Sequence, residues 1–99
     1  MSSIENRKEA MLEKAEARLK QIDAEVDRLK AKADEAEADQ KLKVQQRIDD
    51  LEEKRQAFRD KVQEIRDAGD DALADLSNGF ERAWSTLKDA AGRAGARFG

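Results

Sequence analysis

The sequence predicts an all-α protein of coiled-coil type, with a long helix over about 4–68, a joint at 69–70 and a shorter helix over about 71–97. The shorter helix folds back along the longer one as a hairpin. Three observations predict this class. Apolar residues recur at alternating spacings of three and four, the repeat of a helical seam. Of the 99 residues, 43% are charged and 38% apolar, with Ala the commonest apolar type. Proline is absent, and the few β-branched residues argue against strands.

The first seam runs through Leu12, Ala15, Leu19, Ile22, Val26, Leu29, Ala33 and Ala36 in unbroken a/d phase. A second runs through Ile48, Leu51, Arg55, Phe58, Val62 and Ile65, with Arg55 as its one charged interruption. Between them the phase slips: Ala33 to Val44 is eleven residues, a stutter that relaxes a left-handed supercoil. Ser2 with Glu5, or Ser3 with Asn6, can cap the N-terminus. Asp34–Gln40 lies within Ala31–Val44, a segment nearly all Ala, Lys, Asp, Glu and Gln, with high helix propensity and almost no core material. A bend there would give the alternative architecture, a three-helix bundle. The stretch holds no Gly, Pro, Asn or Ser, the residues that normally punctuate helix–helix connections. The unbroken helix, about 95 Å long at ~1.5 Å per residue, is therefore favoured. It leaves much of its seam uncovered in a single chain, which predicts self-association.

Gly69, followed by Asp70 and Asp71, reads as a left-handed helix end and a new acidic N-terminus. Beyond it Leu73, Leu76, Phe80, Ala83, Trp84, Leu87, Ala91, Ala94 and Phe98 share one face. Gly79 can kink this helix without ending it, and the tail from Gly92 is expected to fray. Acid-before-base pairs four apart support the solvent faces: Glu16–Lys20, Glu37–Lys41, Asp39–Lys43, Asp50–Lys54 and Asp89–Arg93. The whole chain, 1–99, reads as one helical domain.

The composition also limits function. With no Cys and no His, no thiol or imidazole is available as nucleophile, base or soft metal ligand. The net charge is −3, and both signs are interspersed throughout rather than gathered into the basic stripe of a nucleic-acid binder. No apolar run has the ~20 residues needed to span a bilayer, and the first residues lack the apolar core of a signal peptide. A cytoplasmic protein is expected. The acidic clusters Asp34, Glu35, Glu37, Asp39 and Asp49, Asp50, Glu52, Glu53 lack the turn residues of a cation-binding loop and read as solvated helix faces. Gly95 and Gly99 have helix-pairing spacing but lie outside any apolar segment. No catalytic residue, cofactor site, metal site or small-molecule substrate is predicted. The candidate interaction face is Leu73, Leu76, Phe80, Trp84, Leu87 and Phe98.

Several segments together resemble a family of bacterial coiled-coil stress-response proteins of about this length. They are Gln21–Asp34, Gln46–Leu51, Ala72–Leu76 and, most specifically, Gly79, Glu81, Ala83 and Trp84 in a Gly-x-Glu-x-Ala-Trp pattern, followed by Leu87. Leu73 stands where the family pattern has a second Trp. The resemblance implies a non-enzymatic role tied to stress. The expected function is therefore that of a structural or interaction protein that self-associates. One alternative is a lipid-surface binder acting through the amphipathic segment 70–98, disfavoured because acids outnumber bases on its polar face. Another is a protective, conditionally folded chain, suggested by the Ala/Lys/Glu-rich stretch 31–43 and opposed by the regular seam.

Overall fold

The apolar stripes of the sequence face one another within a single chain. The computed structural model describes residues 3–98, with side chains placed for 6–69 and 71–95. It contains α1 (Ser3–Glu35), α2 (Ala38–Asp67) and α3 (Asp70–Phe98). Cross-helix contacts set their directions. Asp23 meets Arg55 and Lys30 meets Glu52, so α1 and α2 are antiparallel. Phe58 meets Phe80 and Trp84 while Lys61 lies beside Gly79, so α2 and α3 are antiparallel too. The result is an up-down-up three-helix bundle measuring 54 × 18 × 18 Å.

The unbroken helix over 4–68 is thus corrected: the chain bends at Ala36–Glu37, as in the alternative arrangement. Glu37 is extended, with φ −68° and ψ 161°, and its side chain makes no capping bond. The joint is held locally by Ala36 N–H donating to Ala33 O at 3.3 Å and Lys41 N–H donating to Glu37 O at 2.7 Å. Local propensity favours helix here, so the cause is tertiary. Bending gives up about four backbone hydrogen bonds worth ~0.5–1.5 kcal/mol each. It brings Ile22, Val26 and Leu29 into one core with Ile48, Leu51 and Phe58. Each large side chain so buried contributes about 1.5–3 kcal/mol, and burial wins. Bending inside one chain also removes the exposed seam on which the expectation of self-association rested.

The second joint lies where the sequence placed it, with different chemistry. Gly69 is not left-handed. Instead Ala68 turns extended, with φ −72° and ψ 141°, and ends α2. Ala68 N–H donates to Ile65 O at 3.2 Å, and Gly69 O accepts from Ala72 N–H at 3.2 Å as α3 begins. The ammonium of Lys8 reaches across from α1 to donate to Ala68 O at 3.0 Å. The tail expected to fray is helical to Phe98, and α3 runs through Gly79 without a break. The capping pairs of Ser2 and Ser3 lie outside the described residues and side chains.

Among the described residues the buried set is wholly apolar. It comprises Ala15, Ile22, Val26, Leu29 and Ala33 of α1, Val44, Ile48, Leu51, Phe58, Val62 and Ile65 of α2, and Leu73, Phe80, Trp84, Leu87, Ala91 and Ala94 of α3. Met11, Leu12, Leu19, Leu76, Ala83 and Ala90 pack around it. Of the five predicted acid–base pairs, Asp50–Lys54 closes at 2.6 Å and Asp89–Arg93 also closes. Glu37 instead ends up in the joint ahead of α2.

Candidate interaction surfaces

The candidate interaction face points inward. Leu73, Phe80, Trp84 and Leu87 are buried, and Leu76 packs beside them. Phe98 falls outside the described side chains. The face is covered by the chain's own α1 and α2. At its centre Phe58 lies 5.1 Å from Phe80 and 5.7 Å from Trp84, centroid to centroid, in tilted geometries that aromatic quadrupoles favour.

Arg18, which sequence reasoning passed over, closes this cluster from α1. Its guanidinium carbon lies 5.3 Å from the Phe80 centroid and 4.9 Å from that of Trp84. Its two terminal nitrogens donate to the two oxygens of Glu81 at 3.1 and 3.2 Å. Lys14 adds a longer pairing with Glu81, at 3.7 Å. The side chain of Arg18 is 17% exposed, so its stem and plane serve as packing surface. A signal was available: Glu81 directly follows Phe80 and sits one turn before Trp84, which places a carboxylate at the edge of the aromatic face.

Arg55, the charged interruption in the second seam, extends sideways out of the core. Nη1 lies 2.7 Å from Asp23 on α1, and the side chain is 22% exposed. Lys30 and Glu52 form a second α1–α2 pair at 3.4 Å. The acidic clusters do not converge. Asp34 and Glu35 end α1 while Glu37 and Asp39 open α2, all of them exposed. Asp50 is held by Lys54, Glu52 by Lys30, and Asp49 accepts from Gln45 at 3.1 Å. Among the described residues no three potential metal ligands of the His, Cys, Asp or Glu type come together, and no helix is long and apolar enough to cross a membrane.

Two of the grooves on the exterior bear on recognition. One of about 330 Å³ runs between α1 and α3 over Ile22, Trp84 and Ala91, where Gly92 and Gly95 leave α3 bare. Gly95 has a steric role that its spacing with Gly99 did not suggest. A Cβ there would lie 2.9 Å from Nη2 of Arg28, which itself donates to Glu25 at 2.7 Å. The second groove, also about 330 Å³, lies between α2 and α3. It gathers Arg47, Lys54 and Arg93 with Ser85, Thr86, Asp50 and Asp89. Lys54 and Arg93 are paired to Asp50 and Asp89. Thr86 Oγ1 is occupied as a donor to Arg82 O at 3.1 Å. The sequence disguises this groove, because its cations come from two helices and are interleaved with acids in each.

No protein-family model, curated protein or solved structure matches this chain.

Proposed function

We propose that the chain is a non-enzymatic interaction protein, of the stress-linked helical kind its sequence resembles, acting in the cytoplasm as a folded bundle. The observation that carries this reading is the inward turn of α3. Leu73, Phe80, Trp84 and Leu87 are used for the core, so recognition falls to the charged exterior. The α2–α3 groove is the surface best suited to it. Arg47, Lys54 and Arg93 line it with the hydroxyl-bearing residues Ser85 and Thr86; Lys54 and Arg93 are paired with its Asp50 and Asp89, so Arg47 supplies the groove's excess positive charge. An acidic segment of a protein partner fits that chemistry.

The test is photo-crosslinking from position 86 in cells grown with and without stress, beside a chain carrying R47E and R93E. The expected result is a defined protein partner, captured by the unaltered groove and lost on charge reversal while helicity is unchanged. Equal capture by both chains, or none by either, contradicts the reading.

A lipid-surface role is the second reading, favoured by the α3 face and by the wholly apolar buried set, since opening the bundle would strand no buried charge. Trp84 is the chain's one tryptophan and reports on it directly. An emission spectrum unaltered by neutral and anionic vesicles removes this reading.

A further inference from the structure

We infer that two copies of this chain form a dimer by exchanging α1, with Ala36–Glu37 as the hinge and a second copy as the partner. The hinge is built from residues that prefer to be helical. Asp34 to Gln40 contains Ala, Glu, Asp and Gln and no breaker. Its bent form is held by the Ala36–Ala33 and Lys41–Glu37 backbone hydrogen bonds and by Lys32 and Asp39 at the facing helix ends, but Glu37 makes no side-chain cap, and Asp34 and Glu35 place negative charge against the carbonyl end of α1. Straightening restores the helical hydrogen bonds across the joint and puts those acids mid-helix. The eleven-residue step from Ala33 to Val44 returns to the same side of a straight helix, so the two seams align into one.

Nothing that α1 contributes is lost in the exchange. Its links to the rest of the bundle, Arg18–Glu81, Asp23–Arg55, Lys30–Glu52 and Lys8–Ala68 O, can all form between copies. Contacts that open within one chain and close between two make exchange a low-cost route to a dimer. The other joint stays bent, because Ala68 is extended and Gly69 O already accepts from Ala72. Phe58, Phe80 and Trp84 therefore remain together in one copy. The dimer is built on two antiparallel helices spanning 3–67, each about 97 Å long at ~1.5 Å per residue.

The test is light scattering and small-angle X-ray scattering on chain refolded at concentrations from micromolar to millimolar. Two variants accompany it: Ala38→Pro, and a Gly-Ser-Gly insertion between Glu37 and Ala38. Proline suits the bent form, since Ala38 is the first residue of α2 and Glu37 before it is already extended. In a straightened helix it would sit in the interior of both hinges. The expected result is a wild-type dimer with a longest dimension near 100 Å, weakened more than about a hundredfold by Ala38→Pro and strongly reduced by the insertion. If circular dichroism shows Ala38→Pro unfolded, the insertion variant decides alone. A wild-type chain that stays monomeric throughout overturns the proposal. So does a short dimer that the variants retain, which would mean intact bundles docked side by side. The proposed groove function does not depend on either outcome, because the R47E and R93E comparison leaves the hinge untouched.

Discussion

Arg18 on α1 grips Glu81 on α3 with both terminal nitrogens while its plane lies over Phe80 and Trp84. One side chain thus joins the two helices that are not consecutive in the chain, and it does so at the aromatic centre of the core. An exposed ion pair alone contributes little, about 0–1 kcal/mol. Arg18 is mostly covered and stacked, so its loss should cost more. Arg18→Ala is expected to destabilise the bundle by about 1–2 kcal/mol. Arg18→Lys should recover less than half of that, because lysine keeps the charge but not the planar fork. Urea unfolding followed by Trp84 emission measures both.

Phe58 sits at the centre of the aromatic cluster. It is fully buried and contacts both Phe80 and Trp84. Phe58→Ala should cost about 3–5 kcal/mol, a large share of the total stability of a domain this size. Thermal melting is expected to show a broad transition or none, with Trp84 emission shifted to the red.

Arg55 should behave in the opposite sense to a core deletion. It holds a seam position and reaches out to Asp23. Replacing a partly buried charge by an apolar side chain of similar volume is commonly neutral or stabilising. Arg55→Met is therefore expected within about 1 kcal/mol of wild type. Arg55→Ala, which leaves a gap between Leu51 and Phe58, should lose about 1–2 kcal/mol. Denaturant midpoints separate the two.

Glycines in α3 offer stabilising changes. A Cβ on Gly92 meets nothing within 4 Å, and one on Gly79 meets only the side chain of Lys61 at 3.8 Å. Both lie inside a helix, where alanine is better by about 1 kcal/mol. Gly79→Ala and Gly92→Ala should each raise Tm by roughly 4–8 °C. Gly95→Ala should gain less, because its Cβ has to displace the end of Arg28. Calorimetry on the three variants ranks them.

Most of the fold was legible because the seams are regular. Ile22, Val26 and Leu29, then Ile48, Leu51 and Phe58, then Phe80, Trp84 and Leu87 were assigned to apolar faces, and all are buried. The joint at Gly69 was legible from its glycine and the acids after it, although Ala68 rather than Gly69 makes the turn. The bend at Ala36–Glu37 was not legible as the favoured form. Its residues are helix formers, and only the sum of contacts elsewhere in the chain breaks the helix there. The α3 face was identified residue by residue, but hydrophobic periodicity does not say whether a face turns to its own chain or to a partner. The α2–α3 groove was hidden for a related reason, since Arg47 and Arg93 are distant in sequence and meet only after folding.

The central claim is that one chain folds on itself at Ala36–Glu37. Small-angle X-ray scattering extrapolated to zero concentration tests it most directly. The structure predicts a monomer with a Cα radius of gyration of 15.9 Å and a longest extent of 54 Å. A dilute monomer with a longest dimension near 95 Å, the length of an unbroken helix at ~1.5 Å per residue, would contradict it.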